Sequence, residues 1–138
     1  MRPRIYISGP LTSSGDVFEN LGAAVNAARA LIAAGFAPFC PHLSYYLDEA
    51  EEIPHRVWME IDLAWLEVAD AVLRLPGESV GADIEVRRAE ALGIPVFRSV
   101  VDLGRHFRER PDNGRDNPRD EISTGSPSRG ERARVVGR

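Results

Sequence analysis

Residues 69–97 read ADAVLRLPGESVGADIEVRRAEALGIPVF. Ala69 to Leu75 is a short apolar run that suits a buried strand. Pro76-Gly77-Glu78-Ser79 is a turn, and Val80 to Leu92 is predicted as a helix that Gly93 ends. Ile94 to Phe97 is apolar and β-branched again. Strand, helix and strand in one short stretch make a βαβ unit. Such a unit needs parallel strands joined by a right-handed crossover.

The same alternation extends outward from this unit. Arg4 to Ser8 (RIYIS) is a strand that stops at Gly9-Pro10. After a Thr-, Ser- and Gly-rich loop, Asp16 caps a helix from Val17 to Ala34. Its apolar positions Leu21, Ala24, Val25, Ala28, Leu31 and Ile32 keep helical spacing, and Gly35 closes it. Phe36 to Phe39 is a short second strand, broken by Pro38 and ended by Pro41. An irregular, aromatic-rich connection follows, with His42, Tyr45, Tyr46 and an acidic patch from Asp48 to Glu52. Pro54 opens a helix from about His55 to Val68. Val101 to Phe107 is a short last helix. The fold class expected is α/β, a doubly wound parallel sheet of four to five strands covered on both faces. Ligands in such sheets sit beyond the carboxyl ends of the strands. The loops of interest are therefore 8–15 and 76–81.

One domain is expected over residues 1–108. From Glu109 to Arg138 the chain is rich in Arg, Asp, Gly, Ser and Pro, and too poor in apolar residues to form a core. That stretch is expected to be a disordered polar tail. With 43% hydrophobic and 28% charged residues the chain has ordinary globular composition. The net charge of -4 argues against polymeric nucleic acid as a partner. All 17 basic residues are Arg, so a Schiff-base or P-loop lysine is excluded. Cys40 is the only cysteine, and His42, His55 and His106 lack metal-ligand spacing; no metal and no cofactor are expected. Met1 leads directly into a strand, and no apolar run approaches about 18 residues. A cytoplasmic protein without membrane contact is the expectation.

Three places can carry chemistry. Ser79 and Gly81 stand where a strand hands over to a helix, whose free N–H groups can bind an anion. Glu85 lies four residues after Gly81, on the same helix face. By spacing alone, Ser79 is equally an N-cap and Glu85 an exposed helix glutamate. Asp62 shares one helix face with Trp58 and Trp65, a stripe expected to face the core. A buried carboxylate there has a raised pKa and can donate a proton; an Asp solvated at the stripe's edge is the other reading. Tyr6, in the first strand, can hydrogen-bond a carboxylate near the strand end or simply pack. Ser8 and Gly9 begin the next loop as candidate substrate contacts or as a plain turn. His42, Tyr45 and Tyr46 can stack on a base or pack within their loop.

Together these segments resemble the nucleoside 2-deoxyribosyltransferase superfamily. The blocks are Ile5-Tyr6-Ile7-Ser8-Gly9-Pro10, then Trp58-Met59-x-x-Asp62-Leu63-x-x-Leu66-x-x-Ala69-Asp70, then Ser79-x-Gly81-Ala82-x-x-Glu85-x-x-x-Ala89-x-x-Leu92-Gly93-Ile94-Pro95-Val96. The resemblance spans Arg4 to Phe97, and the nearest branch of known chemistry is the nucleoside 5′-monophosphate N-glycosidases. It implies a flavodoxin-like sheet, Glu85 as nucleophile, Tyr6 beside it, and Asp62 beside base and sugar. It further implies that Ser79 and Gly81 hold a 5′-phosphate, and that the protein is a homo-oligomer, with the Trp58 and Trp65 face as a contact. The loop Gly9-Pro10-Leu11-Thr12 departs from that branch, whose loop is Gly- and Arg-rich. The activity implied is cleavage of the N-glycosidic bond of a nucleoside or nucleoside 5′-monophosphate, the sugar passing to water or another base. The alternative is a non-catalytic nucleotide-binding sensor or interaction module on the same fold.

Overall fold

The computed structural model describes residues 1–109. Strands β1 (Arg4–Ser8), β2 (Ala37–Phe39), β3 (Ala71–Arg74) and β4 (Val96–Phe97) form one sheet in the order β2-β1-β3-β4. Every pairing is parallel, with Tyr6 opposite both Phe39 and Val72, and Val72 opposite Val96. This is the doubly wound, flavodoxin-like arrangement in a single domain. The expected strands are all present: β1 has its expected bounds, and β2, β3 and β4 are shorter by one to three residues because their end residues turn out of the ladder.

Five α-helices cover the sheet: α1 (Val17–Ala33), α2 (Tyr45–Ala50), α3 (His55–Leu66), α4 (Val80–Ala91) and α5 (Val100–Glu109). Their ends follow local chemistry. Asp16 Oδ1 accepts from the backbone N–H of Phe18 and Glu19, at 2.9 and 3.0 Å. At the other end Gly35 has φ +93°, Phe36 N–H donates to Leu31 O and Gly35 N–H to Ile32 O. That is the paired C-terminal closure in which a left-handed glycine reverses the chain. Ile94 N–H to Ala89 O and Gly93 N–H to Glu90 O repeat it at the end of α4.

One expectation needs correction. The connection after β2 is mostly helical, a 3-10 turn at Pro41–Ser44 running into α2. No residue of α2 is buried, so its sequence carries no apolar stripe to announce it. Tertiary bonds hold the segment instead. Asp48 Oδ1 accepts from Ile53 N–H at 2.8 Å and from Trp58 Nε1 at 3.0 Å, which clamps α2 onto α3.

Alternate residues of the strands build two cores. Ile5, Ile7, Ala71 and Leu73 pack with Leu31 of α1 and Leu103 of α5. Tyr6 and Val72 pack on the opposite face with Leu66 of α3 and Ala89 of α4. The chain leaves β1 toward β2 on one side and meets β3 on the other, so the crevice opens beyond the carboxyl ends of β1 and β3. Among the described residues, no helix is long and apolar enough to cross a membrane. The expected polar tail lies outside the described residues except Glu109, which extends α5 past its expected end.

Candidate active site

The two loops singled out by the sequence meet at this crevice. Ser14 Oγ donates to Glu78 O at 2.6 Å, and Leu75 N–H donates to Ser8 O at 2.7 Å. Two glycines make the approach possible. A Cβ on Gly9 would lie 2.9 Å from Leu75 Cβ, and one on Gly77, whose φ is +112°, would lie 2.9 Å from Pro10 Cγ. Each loop thus seats a glycine against a side chain of the other.

Above them is a cavity of about 310 Å³. That is the lower end of the range for small-molecule sites. Helices α3 and α4 start at the carboxyl edge of the sheet, so their first turns overhang it and form two walls. Asp62 and Met59 line it from α3, Gly81 and Glu85 from α4, and Ser79 from the N-cap position before α4. Ser79 Oγ accepts from Ala82 N–H at 3.1 Å, the expected N-cap. A Cβ on Gly81 would meet nothing closer than Met59 Sδ at 3.8 Å. No protein neighbour forbids a side chain there, so the glycine leaves space open to the cavity.

Glu85 is not an exposed helix glutamate. With Ala82 and Ala89 it forms the buried stripe of α4, and only 7% of it is accessible. Its neighbours toward the sheet are Tyr6 and Ser8 of β1, both completely buried. Tyr6 Oη, Ser8 Oγ and Glu85 Oε2 are all enclosed without a hydrogen-bond partner. Buried polar atoms are rarely left so. Burial pushes the Glu85 carboxyl up to about 7; the Tyr6 hydroxyl opposes this, the Asp62 charge adds to it, and Arg74 and Ser8 oppose it. Burial also raises Asp62, to about 6, with His55 opposing. Tyr6 is driven far above its ordinary value by burial and by the charges of Glu85 and Asp62. The site therefore holds two carboxyl groups that interact and titrate near neutrality.

Of the residues predicted from sequence, Gly9, Asp62, Ser79, Gly81 and Glu85 line the cavity. Tyr6 and Ser8 lie beneath Glu85 rather than in the lining. His42 does line it, but as a positioning group: Nε2 donates to Gly9 O at 3.2 Å, and burial lowers its pKa. Tyr45 lines the cavity, whereas Tyr46 is 64% exposed and does not. The Trp58–Asp62–Trp65 stripe does not face the core as expected. Leu63 and Leu66 of α3 pack on the sheet, while Trp58 and Asp62 line the overhanging cavity. Trp65 is 53% exposed and stacks on Phe39 at 5.2 Å.

Sequence reading missed Arg74. It ends β3, is 6% exposed, donates to the carbonyls of Leu75 and Gly77, and approaches Asp83 at 3.4 Å. It staples the loop before α4 and is the buried cation nearest in effect to Glu85. A charged residue at the end of an apolar run was the only available signal.

A family described as a domain of unknown function, DUF7768, matches residues 3–99. The chain belongs to that family. The matched span of this DUF7768 domain holds the whole sheet and every residue of the cavity. No curated protein matches the chain significantly. Among solved structures, the domain is similar to a 2-deoxyribosyltransferase of the psychrotolerant bacterium Bacillus psychrosaccharolyticus. The TM-score is 0.51 and the identity 22%, over 67% of this chain and 69% of the other. At that identity the likeness is one of fold.

Proposed function

We propose that this DUF7768 domain cleaves the N-glycosidic bond of a nucleoside-like substrate, with Glu85 as the nucleophile. The observation that carries the reading is the enclosed Glu85 carboxyl, its Oε2 unpartnered, in the cavity at the switch-point crevice. Breaking the bond from C1′ to the base develops positive charge on the sugar, and a carboxylate below the ring can stabilise it or attack C1′. Tyr6 and Ser8 stand where their hydroxyls hold Glu85 in line. Asp62, protonated below about pH 6, donates a proton to a neutral departing base or orients the sugar. Ser79, Gly81 and Gly9 shape the sugar end. Water or a second base then releases the sugar from Glu85. The fold shared with a 2-deoxyribosyltransferase and the sequence resemblance to that superfamily support this reading.

The test is chromatographic detection of free base from nucleosides and 5′-monophosphates, ribo and deoxy, with and without a second base. Wild type should release base, and Glu85→Ala should lose about 10³-fold or more, the scale of a lost nucleophile. A folded sample that releases nothing from any N-glycoside would leave the nucleotide-binding sensor module as the reading.

A further inference from the structure

The proposed reaction uses only one end of the cavity. One helical turn before Asp62, about 6 Å along the α3 axis, the lining changes to Trp58, with Tyr45, Asp48 and Glu52 beside it. Trp58 Nε1 donates to Asp48 Oδ1, so the carboxylate fixes the indole. Hydrogen bonds from Ile53 N–H and Trp58 hold the Asp48 carboxyl below its usual range, so it stays ionised. Across the whole lining, among the described residues, the acids are Asp48, Glu52, Asp62 and Glu85, and the basic side chains are His42 and His55. His42 is kept neutral by burial. The acids do not converge as a metal-ligand set.

We propose that the Trp58–Asp48 end of the cavity recognises a cationic heteroaromatic ring, so that the substrates are N-glycosides with a quaternised leaving base, of the pyridinium or N7-alkylpurinium type. Aromatic faces beside carboxylates attract flat cations through the ring quadrupole and through charge. A second observation, at the Glu85 end of the cavity, points the same way. Glu85 lines the cavity with its Oε2 enclosed and unpartnered, and the Asp62 charge raises its pKa. A cation bound in this cavity offsets the repulsion between the two acids and favours the ionised, nucleophilic form of Glu85. Tyr6 and Ser8 of β1, Arg74 of β3 and Asp62 of α3 are the other groups that act on Glu85, and of these only Arg74 is positive.

The chemistry balances without an acid catalyst. Glu85 bonds to C1′ as the bond from C1′ to the ring nitrogen breaks, and the electron pair discharges the ring's positive charge. The base leaves neutral and takes no proton. Water then attacks C1′, the bond from C1′ to Glu85 breaks with its pair left on the carboxylate, and the water proton passes to Asp62 and to solvent. Turnover rests on the Glu85 reading above; ring recognition does not.

The decisive experiment therefore separates binding from turnover. In calorimetry on the full chain, 1-methylnicotinamide should bind at least about tenfold tighter than neutral nicotinamide. The preference should shrink in 0.5 M salt and in Glu52→Gln, where a solvent-facing charge is removed. Equal binding of the two rings overturns the proposal even if ordinary nucleosides are cleaved. In turnover assays at pH 8, nicotinamide riboside and 7-methylguanosine should each exceed guanosine in kcat/KM, and which of the two is faster names the ring class. Equal rates for all three also overturn it. Cation-selective binding with no cleavage of either riboside would keep the recognition site and reject the N-glycosidase reading.

Discussion

The two faces of the sheet are made by the same strands and are chemically unlike. Toward α1 and α5, β1 and β3 present Ile5, Ile7, Ala71 and Leu73, and the packing is apolar but for the His106 imidazole of α5, which lies against Phe97 with Nε2 enclosed. Toward α3 and α4 the same strands present Tyr6 and Val72, then Ser8 and Arg74 at their carboxyl ends, with Glu85 above them. Strand side chains alternate, so a single change of residue type at every second position separates a dry face from a reactive one. The dry face fixes the geometry. The other accepts enclosed polar atoms that lack partners, an arrangement that opposes stability and is kept where chemistry needs it.

The sharpest break of this comparison is a pair of substitutions, one per face. Glu85→Gln keeps the shape of the buried stripe and removes the carboxylate, so base release should fall by about 10³-fold with the fold intact. Leu31→Ala, at a completely buried position of the dry face, should lose about 3 kcal/mol of stability to the cavity it leaves. Its kcat/KM, measured on the folded fraction, should stay within about twofold of wild type. Urea titration and the base-release assay on both variants read the two effects. Crossed results, with Leu31→Ala inactive while folded, would mean that the faces are not separable.

How far the sequence carried each face also differs. The βαβ order was legible because glycines at 35 and 93 close helices in the left-handed conformation that their positions demand. Glu85, Asp62 and Ser79 were legible as candidates, but burial was not. Spacing on α4 cannot say that Ala82 and Ala89 bring the helix close enough to enclose the glutamate between them. Arg74 was hidden because a strand ending in Arg reads as a strand leaving the core. Asp48 and Glu52 were read as an acidic patch in a loop. Their place in the cavity depends on α2, which is held by hydrogen bonds to Asp48 rather than by an apolar stripe.

Acid–base linkage gives a further test of the reactive face. Glu85 is raised from 4.5 to about 7 in the folded chain, so between those values the native state binds more protons than the unfolded state. The stability from this group is fully present below about pH 4.5 and is lost as pH rises through 7. The shift corresponds to at most about 3 kcal/mol. Asp62 acts in the same direction over a lower window, from 3.8 to about 6. Glu85→Gln should therefore be more stable than wild type at pH 8, by about 2 kcal/mol after allowing for water at the cavity wall. Near pH 4.5 the two should be equal. Urea midpoints at both values measure it, and a difference independent of pH would reject the assigned ionisation.

The smallest effect compares two helix caps, one on each face. Asp16 caps α1 through Phe18 and Glu19 and is not in the cavity lining; Ser79 caps α4 through Ala82 and lies in the lining. Either residue changed to Ala should lower stability by about 1 kcal/mol, the ordinary value of a lost cap. The kinetics should part company. Asp16→Ala should leave kcat and KM alone. Ser79→Ala should raise KM severalfold, because it frays the turn that sets α4, and with it Glu85, and removes a hydroxyl from the sugar end. If both variants lose the same stability and neither changes KM, Ser79 is a cap and nothing more. The substrate would then be held by the remaining lining, chiefly the α3 wall of Trp58, Met59 and Asp62.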